Sequence, residues 1–389
     1  MISRRPPSPP SLPGILFVIR SLEKGGTENQ VITLLRHLHR KTHLCHVFAL
    51  EPGGRLQGVL NDLGVSVYSG DLNDSDFYRA PWKLLLSQWK LISVLLRIRP
   101  QVVHSFLPLA TFMGALAGRV SGVPSVITSR RALATHQERH AILKPLDRFA
   151  NAWSHQVTVN SKAVWEDTVR RDHIDPLKLR LIYNGVDSAP FESAHSQRAA
   201  VRRQLGLKDN EPVIITVANL IPYKGHTDLI RAAQKVIAAI PESRFLLVGE
   251  NRGIQKELVD QVKAMGISER VMFLGQRNDI PKLLAASDLS VIPSHEEGFS
   301  NVVLESMAAG LPVVATDAGG NREAVSDGIT GRLVAPRHPE AMAEKIILTL
   351  NDLGGAKMQG LQGQKRVKQL FTVAQMVDAH LKLYGSKRS

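Results

Sequence analysis

The sequence predicts an α/β protein with two doubly wound parallel sheets, and three observations lead to this fold class. The chain has 389 residues, which suits two domains at about 150 residues each with some to spare. Short segments rich in β-branched residues alternate with longer segments of helical periodicity, as in parallel sheets that are covered on both faces. The alternation stops at a polar stretch near 188–204 and then restarts, so we predict a hinge near 186–200.

The strand candidates are short apolar runs bounded by turn residues. In the first domain they are 15–19, 44–50, 65–68, 101–105, 125–128, 156–159 and 179–182. In the second domain they are 213–217, 244–248, 271–274, 289–292 and 313–315. Helical patterns lie between them. Ligands of open parallel sheets bind beyond the carboxyl ends of the strands, so we expect a functional site in the strand-to-helix loops of a cleft between the domains.

The domain boundaries follow from these elements. We expect a proline-rich flexible leader at 1–13, an N-terminal domain at 14–190 and a C-terminal domain at 191–370. The last segment, 371–389, carries apolar residues at helical spacing and is predicted to be a crossover helix that closes back toward the N-terminal domain.

The composition excludes several classes of protein. A hydrophobic fraction of 43% with 22% charged residues is typical of globular chains and not of disordered ones. No apolar run reaches the roughly 18 residues of a membrane span. Cys45 is the single cysteine, so no internal disulfide can form, and no Cys/His cluster has zinc spacing. We therefore expect a cytoplasmic protein without a structural metal.

The charge is strongly basic and unevenly distributed. The net charge is +14; residues 1–190 contribute 24 − 14 = +10 and residues 191–389 contribute 25 − 21 = +4. Such an excess favours a polyanion, an anionic lipid surface or an acidic substrate. Aromatic residues make up only 5% of the chain, and no long Lys/Arg block is present, so a nucleic-acid groove is the weakest of these three alternatives.

The segment 81–99 is predicted to be an amphipathic helix. Its apolar side contains Trp82, Leu85, Leu86, Trp89, Ile92, Leu95 and Leu96. Such a stripe is most often the face that packs against the sheet of its own domain. The alternative is a helix that lies on an anionic membrane, on the inner face of the plasma membrane, and brings the protein to a lipid-linked molecule.

The most informative segment is 289–316, which reads as strand, loop, helix and strand. Glu297 lies in the loop at the carboxyl end of the strand, and Glu305 lies one turn into the helix on the side of Asn301, so both carboxylates can point into one cleft. The free N–H groups at the start of the helix suit a diphosphate or sugar hydroxyls, and they belong to Gly298, Phe299, Ser300, Asn301 and Val302. Carboxylates accept hydrogen bonds from vicinal hydroxyls such as those of a ribose. The combination suits a nucleotide-sugar. The plainer alternative is an acidic helix start that faces solvent.

With this motif the chain resembles the family-4 retaining glycosyltransferases, which have two Rossmann-like domains facing across a cleft in the GT-B architecture. The family pattern of two glutamates separated by seven residues is matched by Glu297 and Glu305. The other matching motifs, in chain order, are Gly25-Gly26-Thr27-Glu28, Val103-His104-Ser105, Val159-Asn160-Ser161, Tyr183-Asn184-Gly185-Val186-Asp187, Tyr223-Lys224-Gly225, Ala318-Gly319-Gly320-Asn321-Arg322-Glu323 and Asp327-Gly328 with Gly331. The resemblance spans almost the whole chain.

The resemblance implies roles for individual residues. Glu305 would bind the ribose hydroxyls, and Glu297 would face the transferred sugar beside the amides of residues 298–301. Lys224 would stabilise the charge that develops on the leaving diphosphate, although a plain surface lysine is the alternative. Gly26 and Thr27 would bring backbone amides to the same phosphates. Asn184-Gly185 is interpreted as a turn that shapes the hinge loop.

Two positions depart from the family pattern. Asn219 stands in the donor-binding region where the family commonly has an arginine, so half of the phosphate clamp is missing, and Arg130, Arg131 or Arg277 would have to supply the charge. The histidine that contacts the sugar is often two residues beyond His104, where this chain has Phe106. His104 is therefore predicted either as a catalytic residue or as a packed core histidine.

The resemblance further implies a metal-independent reaction without cofactor, in which a hexose-type sugar passes from a nucleotide diphosphate, most often uridine-linked, to an acceptor hydroxyl of a bacterial surface glycan or glycolipid. A nucleotide-sugar epimerase or a retaining phosphorylase on the same fold is one alternative. A non-enzymatic polyanion-binding protein is the other, and it would owe its binding to the net charge of +14.

Overall fold

The computed structural model describes residues 12–23, 25–73, 76–133, 143–172 and 174–385, so residues 1–11 of the predicted leader lie outside it. The strands are β1 Gly14–Ile19, β2 Leu44–Ala49, β3 Ser66–Ser69, β4 Val102–Phe106, β5 Ser125–Arg130, β6 Gln156–Val159, β7 Leu179–Leu181, β8 Val213–Val217, β9 Arg244–Val248, β10 Val271–Gly275, β11 Leu289–Ile292, β12 Val313–Thr316 and β13 Arg332–Val334.

The α-helices connect these strands. They are α1 Gly26–Leu38, α2 Gln57–Asp62, α3 Asp76–Arg79, α4 Trp82–Ile98, α5 Pro108–Val120, α6 Leu143–Trp153, α7 Lys162–Asp172, α8 Ala189–Ala194, α9 Arg198–Gln204, α10 His226–Ala239, α11 Gln255–Ala264, α12 Ile280–Ala286, α13 Asn301–Ala308, α14 Asn321–Ala324, α15 Pro339–Asn351, α16 Leu353–Leu370 and α17 Val373–Gly385. Four 3₁₀ helices also occur among the described residues, at Pro176–Lys178, His195–Gln197, Pro222–Lys224 and Ser268–Arg270.

Both sheets are parallel and doubly wound, as predicted. The first sheet has the strand order β3-β2-β1-β4-β5-β6-β7, and the second has the order β10-β9-β8-β11-β12-β13. In each sheet the chain first builds strands outward on one side and then continues on the other side of the starting strand. The order therefore reverses between β1 and β4 and between β8 and β11. These are the topological switch points at which ligands of such sheets usually bind.

The second sheet has a hydrophobic core on each of its two faces, and alternate side chains of its strands pack into one core or the other. Val213 and Ile215 of β8 pack into one cluster with residues of α12 and α13. Ile214, the residue between them, belongs to the other cluster, which includes residues of α10 and α15. Successive side chains of a strand point to opposite faces, so a run of apolar residues serves both cores at once.

The chain divides into two compact units that are not continuous in sequence. Unit 1 contains the described residues up to Val159, the segment 165–182 and the residues from Val377 onward. Unit 2 contains the segment 160–164 and the segment 183–376. Helix α17 thus begins in unit 2, and its later residues belong to unit 1. The predicted hinge segment 186–200 contains helix α8 and belongs to unit 2.

Two elements differ from the sequence prediction. Strand β13 was not predicted, because its three residues include one arginine and only one buried side chain. Helix α4 forms as predicted. The expectation that its apolar stripe packs against the sheet is wrong for most residues of the stripe. Leu91, Val94 and Leu95 are buried in the core of unit 1, whereas the larger part of the stripe is exposed.

Candidate functional site

The predicted donor-binding residues of the C-terminal half lie at the carboxyl end of the second sheet. The segment after β8 contains Asn219 and the 3₁₀ helix Pro222–Lys224, and the segment after β11 contains Glu297. Strands β8 and β11 are paired neighbours, with Ser290 opposite Ile215. The two segments therefore leave the sheet side by side, at its switch point.

Lys224 and Glu297 form an ion pair across this switch point. The Nζ atom of Lys224 lies 2.7 Å from Oε1 of Glu297, and both side chains are largely buried. Burial alone would lower the pKa of Lys224, but the charge and hydrogen bond of Glu297 outweigh it and raise that pKa. The ammonium group is therefore held in its charged form. The ring of Tyr223 lies 5.4 Å from the same Nζ atom, which adds a cation–π contact.

Three further contacts fix the two segments to each other. Gly225 has a φ of +72°, and a Cβ atom at this position would lie 2.0 Å from the carbonyl oxygen of Pro293. The backbone N–H of His295 donates to the carbonyl of Tyr223 at 2.8 Å. The Nε2 atom of His295 also lies 2.7 Å from Oδ2 of Asp228. The sequence prediction missed the pair of His295 and Asp228, since 67 residues separate them and no motif contains both.

Helix α13 follows the Glu297 loop, as the motif predicts. Its first turn has no side-chain cap, so backbone N–H groups at its start are not satisfied by Ser300. The buried amide of Asn184 positions this turn by donating to Oδ1 of Asn301 at 2.6 Å and to the carbonyl of Phe299 at 3.3 Å. Glu305 lies in the same helix and is partly exposed. Asn184 therefore does more than shape its own turn.

The loop after β12 packs directly against the Glu297 loop. The N–H of Gly320 donates to the carbonyl of Gly298 at 3.0 Å, and a Cβ atom on Gly320 would lie 2.4 Å from that oxygen. Three residues beyond it, Glu323 accepts hydrogen bonds from the N–H groups of Lys162 and Ala163 and from the hydroxyl of Tyr183. Glu323 thus caps helix α7 and ties the segments 160–164 and 183–185 to this loop.

Asn219, which stands at the position of the missing clamp arginine, and Arg277, one of the three arginines considered in its place, are both engaged with other groups of the protein. Asn219 accepts a hydrogen bond from the N–H of Glu250 at 3.2 Å, so its side chain braces the loop after β9. Arg277 makes two hydrogen bonds to Asp279, at 2.8 and 2.7 Å, and these raise its pKa. An anion would have to compete with Asp279 for this guanidinium.

The segment after β1, which contains Gly25 and Gly26, lies beside the carboxylate of Glu28. A Cβ atom on Gly25 would lie 2.3 Å from Oε2 of Glu28, so this carboxylate folds back to the start of helix α1. Arg131 interacts with the charge of Glu28, although burial is the stronger influence and lowers the pKa of Arg131 to about 10. That Gly26 and Thr27 offer amides to phosphates stays a prediction.

His104 is completely buried in β4 of unit 1. Its Nδ1 atom lies 2.8 Å from the hydroxyl of Tyr384, and its Nε2 atom lies 2.8 Å from Oγ of Ser129. Burial, reinforced by the charges of His380 and Arg131, lowers its pKa well below the usual range. With both ring nitrogens bonded to core side chains, this geometry favours the packed core histidine over the catalytic one.

Over the described part of the chain, no group of three or more His, Cys, Asp or Glu side chains is placed to hold a metal ion. Within the same residues, no helix is both long and apolar enough to cross a bilayer.

Solved structures resemble the whole fold. HepE from Anabaena in complex with UDP-glucose superposes with a TM-score of 0.84 and 25% sequence identity, covering 96% of this chain and 100% of that one. WaaG, described as a glycosyltransferase involved in lipopolysaccharide biosynthesis, has a TM-score of 0.75 at 14% identity and supports the fold alone. The two Rossmann-like sheets are therefore those of the GT-B fold.

Family profiles cover both halves. The profile of Glycosyltransferase Family 4 matches residues 24–189, and that of Glycosyl transferases group 1 matches residues 197–366. The chain belongs to this family of group 1, family 4 glycosyltransferases.

Curated relatives match a smaller part of this chain than the solved structures do. A UDP-Gal:alpha-D-GlcNAc-diphosphoundecaprenol alpha-1,3-galactosyltransferase from Escherichia coli is 27% identical over 69% of this chain and 70% of its own length. A D-inositol 3-phosphate glycosyltransferase from Salinispora tropica is 31% identical over 73% of this chain, and the match spans 63% of that protein.

Proposed function

We propose that this protein is a retaining, metal-independent hexosyltransferase that moves a hexose-type sugar from a UDP-linked donor to an acceptor hydroxyl of a bacterial surface glycan or glycolipid. The observation that carries the proposal is the ion pair of Lys224 and Glu297 at the switch point of the second sheet, directly before the uncapped start of helix α13. A site of this kind offers a fixed cation and backbone N–H groups to a diphosphate.

In this proposal each group has a chemical role. Lys224 binds the diphosphate and stabilises the negative charge that grows on it as the bond between the anomeric carbon and the phosphate oxygen breaks. The acceptor oxygen bonds to the anomeric carbon on the face that the diphosphate leaves, and the acceptor proton passes to the leaving phosphate. Glu297 faces the transferred sugar, and Glu305 accepts hydrogen bonds from the ribose hydroxyls.

The ion pair supports this assignment because its geometry preorganises both partners. Glu297 keeps Lys224 protonated and holds its ammonium group at the switch point. The contacts of Gly225 with Pro293 and of His295 with Tyr223 and Asp228 hold the two segments in place. Electrostatic stabilisation is most effective when the charged groups do not have to move during the reaction.

The relatives support the substrate class. HepE was crystallised with UDP-glucose, and the name of the Escherichia coli relative gives a UDP-galactose donor and a diphosphoundecaprenol-linked acceptor. We propose a uridine nucleotide on this basis, and a lipid-linked acceptor that would place the enzyme peripherally on the inner face of the plasma membrane.

The experiment that tests the function begins with calorimetry of the purified protein against UDP, GDP and ADP. Sugar donors of the preferred nucleotide are then incubated with lipid-linked and free glycan acceptors, and the products are separated and their anomeric configuration is determined. An inverted product, or activity abolished by a chelator, would contradict the proposal. Isomerised donor in the absence of acceptor would identify an epimerase. Salt-sensitive binding to heparin that survives Glu305→Gln, without nucleotide binding, would identify a polyanion-binding protein.

A further inference from the structure

Helix α4 of unit 1 carries a row of large apolar side chains that the core does not use. Its buried residues are Ser87, Leu91, Val94 and Leu95. The exposed apolar residues, with their exposed fractions, are Trp82 at 59%, Leu85 at 74%, Leu86 at 58%, Trp89 at 68% and Leu96 at 55%. We call these five residues the α4 stripe. A continuous exposed apolar patch is uncommon on a protein surface and usually marks a site of interaction.

The spacing places the α4 stripe on one side of the helix, opposite the buried residues. Trp82, Trp89 and Leu96 are separated by seven residues, which is about two turns, so they lie above one another. Leu85 and Leu86 follow Trp82 by three and four residues and lie on the same side. Helix α4 is therefore apolar on two opposite sides, one of which packs on the sheet.

A row of cations runs along the α4 stripe. These cations are Lys83, Lys90 and Arg97, which repeat at the same interval of seven residues. Each of them directly follows one of the three residues that lie above one another in the α4 stripe. Lys83 lies 2.9 Å from Asp76, and Lys90 is paired with Asp71, so both partners come from the chain before the helix. Helix α4 itself contains no acidic residue. The basic side chains thus border the apolar row. Lys90 and Asp71 are both exposed, so another anion can replace Asp71, whereas Asp76, the partner of Lys83, is buried.

We propose that the α4 stripe binds the surface of an anionic lipid bilayer, with helix α4 lying parallel to the membrane plane. Tryptophans, leucines and an adjoining row of Lys and Arg are the features of a helix that inserts its apolar face at the boundary of headgroups and acyl chains. The charge supports lipid as the occupant, because the cations border the row where phosphate groups would lie. Residues 1–190, which include most of unit 1, carry a charge excess of +10 that favours contact with a negative surface.

This inference is independent of the transfer reaction, because the residues of the α4 stripe belong to unit 1 and the Lys224–Glu297 pair belongs to unit 2. It states which surface of the protein would contact the membrane. None of the five side chains belongs to the buried core cluster of unit 1, so their replacement removes no buried core residue.

The test uses the purified full chain with vesicles of phosphatidylcholine alone and of phosphatidylcholine mixed with phosphatidylglycerol. We expect co-sedimentation with the mixed vesicles that weakens as salt is raised. The tryptophan emission should shift to shorter wavelength on binding, since two of the four tryptophans enter an apolar environment. The triple variant Trp82→Ser, Leu85→Ser, Trp89→Ser should bind at least about tenfold more weakly, because burial of even one such side chain changes an equilibrium by about that factor.

A matched control replaces exposed leucines elsewhere. Leu177 and Leu353 are 79% and 75% exposed, and the double variant Leu177→Ser, Leu353→Ser should bind vesicles like the unmodified protein. Lys90→Gln with Arg97→Gln should reduce binding to the mixed vesicles and remove most of its salt dependence. Calorimetry with UDP on each sample separates this proposal from the proposed function, because the stripe variants should retain nucleotide affinity.

Three outcomes would overturn the inference. The first is that the unmodified protein does not bind mixed vesicles. The second is that the triple variant binds them as tightly as the control variant. The third is that the unmodified protein forms a dimer that the triple variant loses while neither binds vesicles, which would assign the α4 stripe to contacts between two copies of this chain.

Discussion

Lys224 and Glu297 are 73 residues apart in the chain, and their charged groups lie 2.7 Å apart in the structure. The pair joins two neighbouring strands at the point where the strand order reverses. It therefore offers a direct test of the proposed site.

Replacement of Lys224 by methionine should reduce kcat for sugar transfer by about 100-fold or more, because a preorganised charge at the leaving group is worth that much in comparable sites. Steady-state kinetics with saturating donor measure this change. Lys235→Met is the control, since Lys235 is an exposed lysine of helix α10 that pairs with Glu340. If the two variants have the same activity, Lys224 has no role in catalysis.

Replacement of Glu305 by glutamine should weaken UDP binding by about ten- to hundredfold, because hydrogen bonds to a charged partner contribute about 1.5–3 kcal/mol. Isothermal titration calorimetry measures the affinity. Glu257→Gln, on the exposed side of helix α11, should leave the affinity unchanged. If the UDP affinity of Glu305→Gln is unchanged, Glu305 does not bind the ribose.

A comparison of two glycines with nearly the same φ distinguishes the cost of backbone strain from the cost of a steric clash. Gly225 and Gly266 have φ values of +72° and +70°, and only Gly225 has an atom within 4 Å of a built Cβ. Gly266→Ala should cost about 1–2 kcal/mol in the free energy of unfolding, the usual cost of a left-handed conformation. Gly225→Ala should cost clearly more, because the methyl group meets the carbonyl of Pro293. Denaturant unfolding compares them, and equal costs would contradict the close approach.

The buried role of His104 is tested through its partner. Tyr384→Phe removes one hydroxyl and leaves Nδ1 of His104 without that hydrogen bond. We expect a loss of about 1–3 kcal/mol in stability and an unchanged pH profile of kcat. A shift of the pH profile without loss of stability would instead support a catalytic His104.

Because His226 is buried with a lowered pKa, we expect the folded protein to lose stability in mild acid. His226 is fully buried at the start of helix α10, and burial lowers its pKa from 6.5 to about 4, with the charge of Lys224 acting in the same direction. The unfolded chain then binds a proton more readily than the folded one, so stability is complete above about pH 6.5 and falls as the pH drops toward 4. The loss from this one group is about 3 kcal/mol.

The measurement is the thermal midpoint between pH 7 and pH 5. His226→Asn should show a smaller fall over this range than the unmodified protein, whereas His195→Asn, at an exposed site, should show the same fall. His104 is also buried with a lowered pKa, so some acid sensitivity should remain in His226→Asn. An identical fall in both variants would contradict the assignment to His226.

The sequence predicted every described strand except β13. The boundaries of β8, β9 and β11 were predicted as the structure has them, because buried parallel strands are unbroken apolar runs between turn residues. Glu297 was placed at the carboxyl end of a strand by the same periodicity, whereas Lys224 was identified only through the family resemblance. Their contact was not predictable from pattern alone, since it depends on β8 and β11 being neighbours.

Periodicity also could not decide what each side of helix α4 contacts. Leu91 and Leu95 belong to the core, and Trp82 and Trp89 are exposed, yet all four are large and apolar. A hydrophobic pattern records which side chains avoid water, but it does not distinguish a protein core from another apolar phase. The pairs of Asn184 with Asn301 and of Tyr183 with Glu323 escaped prediction because polar side chains carry no periodic signal of their long-range partners.

The division of the chain has a practical consequence for genetics. The polypeptide passes from one unit to the other after residues 159, 164, 182 and 376, so no single cut in the gene separates the units intact. A fragment that ends at Ile182 lacks Tyr384, the hydroxyl partner of His104, and exposes a polar group that the full chain satisfies with its last helix. Nonsense mutations in the codons of helix α17 that precede Tyr384 should therefore damage the N-terminal unit.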